Sequence, residues 1–67
     1  MSGSDINQAG PNGETALMLA VRNGNLAAVK LLLESGADKA ISTPKGSTAA
    51  SLADHFNHTE IVDLLTR

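Results

Sequence analysis

The chain has 67 residues, a formal net charge of −2 at pH 7 and no cysteine. A chain of this length forms at most one small domain with a marginal core. Disulfides and thiolate metal sites are excluded. Only 1% of the residues are aromatic, whereas 42% are hydrophobic, so the core must be built mainly from Ala, Leu, Val and Ile. The few cations are scattered, whereas a phosphate-binding surface needs clustered ones, and we expect no nucleic acid partner.

The sequence also contains no membrane signal. The longest apolar run is far shorter than a membrane span, and Met1 to Ser4 have none of the parts of a signal peptide. We therefore expect no membrane partner, and we expect an intracellular, cytoplasmic location.

An internal repeat organises the chain. The segment that begins at Gly13 returns at Gly46, 33 positions later. The same offset joins further identical pairs, which are Gly3/Gly36, Asp5/Asp38, Thr15/Thr48, Ala16/Ala49, Leu19/Leu52, Ala20/Ala53, Val29/Val62, Leu31/Leu64 and Leu32/Leu65. A single ungapped register over the chain indicates a repeat architecture.

The first predicted helix follows a turn-rich start. Residues 1–14 are rich in Gly, Ser, Asn and Pro, which predicts a short extended arm at 5–7 and a tight turn at 10–13. A short helix is expected from Thr15, as N-cap, to Asn23. Gly24 can then take the left-handed conformation that ends a helix.

A second helix is predicted from Leu26 to about Ser35, with Asn25 as its cap. It is apolar nearly all round, which predicts burial on more than one side. Gly36 ends it. Neither of these short helices would persist alone, so they must pack on each other and on neighbours.

The second half of the chain repeats this order. Residues 37–46 form an extended segment with a turn at its tip, and Asp38 is expected to accept backbone hydrogen bonds there. Residues 48–56 form the third helix. Asn57 stands where Gly24 stood and can serve as a left-handed stop. The last helix spans 59–66.

This pattern resembles an ankyrin repeat. The residues that carry the resemblance are Gly13-x-Thr15-Ala16-Leu17-x-x-Ala20, Asn23-Gly24-Asn25-Leu26, Val29-Lys30-Leu31-Leu32-Leu33 and Gly36-Ala37-Asp38, with Gly46-x-Thr48-Ala49, Ala53 and Ile61-Val62-x-Leu64-Leu65 in the second unit. The resemblance implies an all-α solenoid of two helix-turn-helix units joined by an extended β-turn segment. Residues 1–8 would be the end of a preceding repeat, 9–41 the first repeat and 42–67 the second.

The second unit departs from the family pattern. Met18 and Ser51 stand where the family usually has His, so the loop-bracing hydrogen bond of that His is expected to be lost or weaker. Ala50 and Thr59 replace larger apolar residues of the first unit. Such smaller or more polar residues are typical of a terminal, capping repeat whose outer side meets water.

Two repeats are fewer than a stable stack usually needs. We expect Leu17, Val21 and Leu26 to lack cover on their N-terminal side. The chain would then be marginally stable or would self-associate. A fragment, an engineered minimal fragment and an oligomer that supplies the missing neighbours all remain open.

Candidate chemistry is sparse. His55 and His58, preceded by Asp54, resemble metal ligands, but zinc normally needs three or four ligands, and we interpret them as surface histidines. Ser51 and His55 share a helical side without an identifiable oxyanion site, and an exposed polar role for Ser51 is favoured. We expect no catalytic residue, no metal and no cofactor.

Phe56, the only aromatic residue, has two open interpretations. It lies at the end of the third helix, where an aromatic side chain could anchor a partner. Alternatively, it folds back and shields the thin core of the second unit.

The resemblance implies a non-catalytic module that binds a partner protein through its turn tips and the concave side of its first helices. The alternative is a structural role in which the chain mainly contacts its own copies. The expected partner-binding positions, with Arg22 and Phe56 as anchors, are Ala9, Pro11, Asn12, Glu14, Arg22, Asn23, Ser42, Pro44, Lys45, Ser47, His55 and Phe56.

Overall fold

The computed structural model describes residues 6–67, a part of the chain built from four helices joined by turns. The helices are α1 (Ala16–Arg22), α2 (Leu26–Glu34), α3 (Ala49–His55) and α4 (Thr59–Thr66). The predicted all-α fold is confirmed. Each helix also matches its predicted span to within one residue at either end.

The helices α1 and α3 begin in the same way because each follows a threonine. The Oγ1 atom of Thr15 accepts a hydrogen bond from the backbone N of Met18 at 3.3 Å. Thr48 accepts one from the backbone N of Ser51 at 3.2 Å. Each hydroxyl thereby satisfies one of the backbone donors that the first turn of a helix leaves unpaired.

The helices α2 and α4 begin differently. Asn25 Oδ1 accepts a hydrogen bond from the backbone N of Ala28 at 3.1 Å and caps α2. His58 occupies the corresponding position before α4 and makes no side-chain cap hydrogen bond. The second unit therefore lacks one of the stabilising contacts of the first.

The link between α3 and α4 contains a left-handed residue. Asn57 has φ 61°, close to the φ of 71° at Gly24, its counterpart between α1 and α2. Asparagine tolerates this region better than most other residues with a side chain. The prediction that Asn57 replaces glycine as the helix stop is confirmed.

The two turn tips, residues 10–14 and 43–47, have the same backbone hydrogen bonds. In the first, Gly13 N donates to Gly10 O and Gly10 N donates to Glu14 O, both at 2.9 Å. In the second, Gly46 N donates to Thr43 O and Thr43 N to Ser47 O, both at 2.8 Å. The two tips are therefore copies of one closed loop.

Extended structure within residues 6–67 is limited to one isolated antiparallel bridge, between Ser42 and Thr48. Residues 6 and 7 lie in a turn, so the described end of the predicted arm is not extended. The start of that arm, and residues 1–5 of the predicted tail, lie outside the described residues. The Oδ1 atom of Asn7 accepts a hydrogen bond from Asp38 N at 2.6 Å, which ties the start of the described chain to the loop after α2.

Asp38 acts in that loop as predicted. Its Oδ1 atom accepts a hydrogen bond from the backbone N of Ala40 at 2.8 Å. A carboxylate that bonds the backbone two residues on is typical of an Asx-turn. The prediction of a structural role for this carboxylate is confirmed.

The core lies between the four helices. Within each unit the two helices pack together, and α1 contacts α3 while α2 contacts α4. The buried hydrophobic residues are Leu17, Met18, Ala20, Val21, Val29, Ala49, Ala53, Ile61 and Leu65. Aliphatic side chains and one Met thus form the whole described core, as the composition requires.

Helix α2 packs against both α1 and α4, as predicted, but its apolar arc is not covered all round. Val29 is its one buried residue, and Leu31 is 63% exposed. A two-unit stack offers α2 one neighbouring helix pair, so an apolar arc as wide as that of α2 cannot be covered completely.

Among residues 6–67 no helix is both long and apolar enough to cross a membrane.

Candidate functional site

A groove of about 620 Å³ lies beside the two turn tips, along the end of α1 and one side of α3. Its lining residues are Pro11, Asn12, Gly13, Glu14, Arg22, Thr43, Pro44, Lys45, Ser47, Ser51, Leu52, His55 and Phe56. This surface is called the groove below. It is open to solvent and mixes apolar and charged side chains, as many non-obligate protein interfaces do.

Nine of the twelve predicted partner-binding residues line the groove, and these are Pro11, Asn12, Glu14, Arg22, Pro44, Lys45, Ser47, His55 and Phe56. The other three lie elsewhere. Ala9 is exposed just before the first tip, and Asn23 is the exposed C-cap of α1. Ser42 forms the isolated bridge with Thr48.

An ion pair spans the first side of the groove. The Arg22 Nη1 atom lies 2.8 Å from Glu14 Oε1, so the last residue of α1 is linked to the last residue of the first tip. The Glu14 side chain is only 14% exposed, whereas that of Arg22 is 47% exposed. Arg22 therefore keeps guanidinium donors that face solvent, since one contact uses only one of its five N–H groups.

Phe56 lines the groove, and its ring contacts two histidine rings. Its ring meets that of His55 edge-on, with centroids 4.9 Å apart. It stacks with the ring of His58 at 6.1 Å. Phe56 is 39% exposed. It is thus a partly exposed aromatic side chain whose ring contacts two histidine rings.

Two lining residues on α3, Ser51 and Leu52, were absent from the predicted site. Leu52 lies four positions before Phe56, and Ser51 four positions before His55. Residues four apart share one side of a helix, so this spacing was the signal that could have identified both.

The structure groups no metal ligands in its described part. Within residues 6–67, no three His, Cys, Asp or Glu side chains lie together in a way that could hold a metal ion. His55 and His58 instead both contact the ring of Phe56, and the backbone N of Ser51 is used in the cap of α3.

A second candidate surface is exposed on the first unit. Leu19 is 46% exposed and Leu31 is 63% exposed, and Ala16 is also exposed. Their counterparts at the 33-residue offset are covered: Ala49 is buried, and Leu52 and Leu64 pack against the core. We call Ala16, Leu19 and Leu31 the N-terminal face.

The counterparts show why this face is open. Leu52 lies where α3 adjoins the end of α1, beside Arg22. Leu64 lies beside Leu26, between α4 and α2. The first unit thus covers these leucines of the second unit, and no described residue covers Leu19 and Leu31 to the same extent.

The predicted lack of cover at Leu17, Val21 and Leu26 is wrong. Leu17 is 1% exposed and Val21 is 0% exposed, while Leu26 is half-buried against the core. These side chains belong to the interior of the described structure. The uncovered apolar residues are those of the N-terminal face.

The opposite end of the stack is more polar. Asp54 and Thr59 are exposed there, in the positions that Val21 and Leu26 hold in the first unit. Ala50 takes the place of the buried Leu17. A further apolar repeat packed on this end would therefore contact the Asp54 carboxylate.

The family described as ankyrin repeats (3 copies) matches residues 1–67. The Notch-regulated ankyrin repeat-containing protein B of Danio rerio is 42% identical over 64 residues, which cover 94% of this chain and 58% of that protein. The Notch-regulated ankyrin repeat-containing protein of Xenopus tropicalis is 41% identical over 58 residues, covering 87% of this chain and 51% of that one. The NAD-capped RNA hydrolase NUDT12 of Homo sapiens is 41% identical over 64 residues, which are 96% of this chain and 14% of the hydrolase. The chain thus spans about half the length of the two Notch-regulated relatives.

Proposed function

Because the chain belongs to the ankyrin repeat family, we propose that it binds a partner protein through the groove. Ankyrin repeats are in general protein–protein interaction modules. Their fold is typically non-catalytic, and we infer that this chain is not an enzyme. The groove is the surface on which the two turn tips and α3 present side chains together.

The exposed ring of Phe56 is the observation that carries this proposal. Aromatic and arginine side chains contribute a large share of the binding energy at protein interfaces. Phe56 lies in one groove with Leu52 and Arg22, and its ring is supported by His55 and His58. A supported ring loses little conformational freedom when a partner covers it.

Selection of ligands on the immobilised chain tests the proposal. Random twelve-residue peptides displayed on phage would be enriched on the wild-type protein and then titrated against variants. We expect Phe56→Ala to weaken the selected peptides at least tenfold, which is about 1.4 kcal/mol. Arg22→Ala is expected to weaken them less, because part of its guanidinium already binds Glu14.

Leu31→Ala is the matched control, because Leu31 is also an exposed large hydrophobic residue but does not line the groove. It should leave the affinity unchanged. Circular dichroism would verify that Phe56→Ala remains folded. Equal affinities of the wild type and Phe56→Ala would contradict the proposal, as would amide NMR shifts centred on α2 and α4 instead of the turn tips.

A second function is favoured by the N-terminal face. We infer that two copies of the chain can pair through Leu19 and Leu31. Head-to-tail pairing would bring the N-terminal face of one copy onto the opposite end of the next, where Asp54 and Thr59 are exposed, and would desolvate the Asp54 carboxylate without a partner, which is costly. Two N-terminal faces instead meet as identical apolar patches, as a symmetric dimer requires.

The two functions predict different behaviour in solution. A protein that is monomeric at all accessible concentrations would exclude pairing and favour binding through the groove, because the groove does not need a second copy. A dimer that dissociates on dilution would support pairing through the N-terminal face. Analytical ultracentrifugation over a range of concentrations separates the two.

A further inference from the structure

The charges of the groove differ from those of the rest of the chain. Among residues 6–67, Arg22 and Lys45 are its cationic lining residues, and Glu14 is its one carboxylate. The groove therefore has an excess of one positive charge, although the formal net charge of the chain is −2. The other carboxylates of residues 6–67 lie outside it.

The single carboxylate is not available to a ligand. Glu14 is 14% exposed and its Oε1 atom is bound to the Arg22 guanidinium at 2.8 Å. A cationic side chain that entered the groove would have to compete with Arg22 for an oxygen that is largely covered. A basic ligand would thus be desolvated without gaining a free partner.

The cations, by contrast, are available. Lys45 is exposed at the second turn tip and has no carboxylate partner within residues 6–67. The Arg22 side chain is 47% exposed, and its planar fork can bind a further carboxylate with two parallel hydrogen bonds.

The apolar part of the groove lies beside these charges. Phe56 and Leu52 line it together with Pro44 and Pro11. A ligand that fits both parts must carry both carboxylates and apolar side chains on the side that faces the groove. An extended peptide segment can carry both, because every second side chain points to the same side and can face the groove.

We propose that the groove selects an acidic, partly apolar peptide segment of a partner protein, with carboxylates at Lys45 and Arg22 and an apolar side chain on Phe56. This inference rests on the proposed function of the groove. It goes further, because the net charge of the chain alone would favour basic partners, whereas the groove favours acidic ones.

Peptide selection on three forms of the full chain tests the charge preference. The probes are random twelve-residue peptides on phage, enriched at low salt on the wild type, on Lys45→Glu and on Lys39→Glu. Lys39 is the matched control, because it is an exposed turn lysine outside the groove and its replacement changes the net charge equally.

The wild type and Lys39→Glu are expected to enrich peptides of net negative charge, and Lys45→Glu is expected to lose this bias. Replacing Glu by Gln in a selected peptide should weaken its binding to the wild type by up to about fivefold, the upper end of the range of an exposed ion pair. The loss should shrink at 0.5 M salt, since screening is then strong.

Selection of neutral or basic peptides by the wild type would overturn the proposal. An equal loss of the acidic bias in Lys39→Glu and Lys45→Glu would also overturn it, because the bias would then come from the net charge of the chain and not from the groove. Sensitivity to Phe56→Ala separates this failure from that of the proposed function. Selected peptides that need Phe56 but carry no acidic residue refute the charge preference and keep the groove as the binding site. A selection that enriches no peptide, or only peptides indifferent to Phe56, refutes both.

Discussion

At the residue scale, Gly13 and Gly46 hold the same place in the two turn tips but have different surroundings. Both have positive φ, 76° and 87°. A Cβ atom on Gly13 would collide with Cδ of Pro44, whereas one on Gly46 would meet nothing within 4 Å. Substitutions at the two positions therefore distinguish the free-energy cost of backbone strain, which both share, from the cost of a steric clash, which only Gly13 would have.

We expect Gly13→Ala to destabilise the protein more than Gly46→Ala. Both substitutions are expected to lower the free energy of unfolding by about 1 kcal/mol, because alanine is strained in the left-handed region. Gly13→Ala is expected to lower the free energy of unfolding by roughly 1–3 kcal/mol more, the usual range for a side chain forced into an occupied space. Urea unfolding followed by circular dichroism measures both.

The double variant Gly13→Ala with Pro44→Ala identifies the cause. Without the proline ring, the additional cost of Gly13→Ala should largely disappear. Equal stabilities of the two single variants would contradict the steric argument. The sequence predicted the turn from Pro11, Asn12 and Gly13, but it could not predict the contact with Pro44, because that contact depends on how the two tips stack.

At the scale of elements, the helix ends followed the sequence closely. Thr15 and Thr48 cap their helices through the hydroxyl, and Asn57 ends α3 in the left-handed region. Caps and stops depend on one residue and its nearest neighbours along the chain, so sequence alone defines them well. The start of α4 is the exception, since His58 provides no cap hydrogen bond.

Asn25→Ala is expected to lower the free energy of unfolding by about 1 kcal/mol, because it removes the hydrogen bond from Ala28 N that caps α2. Asn23→Ala makes the same chemical change two residues earlier, at an exposed position, and should change stability by less than about 0.5 kcal/mol. Urea unfolding of both variants compares them. A loss of the same size at both positions would mean that the Asn25 side chain does not act as a cap.

At the scale of the whole molecule, the sequence predicted an uncovered side but assigned it to the wrong residues. Helical spacing placed Leu17 and Val21 on an apolar face, which the structure buries. Leu19 and Leu31, which are exposed, received no such role. Spacing identifies which residues share a face, whereas the neighbour that covers this face depends on the direction of stacking.

If copies pair through the N-terminal face, Leu31→Glu should raise the dimer dissociation constant at least tenfold, since it places a charge in an apolar contact. Ala40→Glu, at an exposed turn residue, changes the net charge equally and should leave association unaltered. Sedimentation equilibrium of the three proteins provides the constants. Identical association of Leu31→Glu and the wild type would exclude this face as the dimer contact.

The groove itself was only partly predictable. The residues of the two tips could be assigned from their place in the repeat, because both tips recur at the same offset. The pairing of Arg22 with Glu14 and the support of Phe56 by two histidine rings required the fold. Both depend on side-chain directions at the ends of helices, where spacing rules weaken.

The close approach of Gly13 to Pro44 bears on how the proposed binding surface can evolve. The backbones of the two tips are braced by their own hydrogen bonds and by each other, so their shape is already set before a partner arrives. Turn tips that are already ordered lose little conformational entropy when a partner binds. If a partner binds in the groove, as we propose, the exposed side chains of Asn12 and Lys45 can be exchanged to change that partner without altering the backbone of the turn tips.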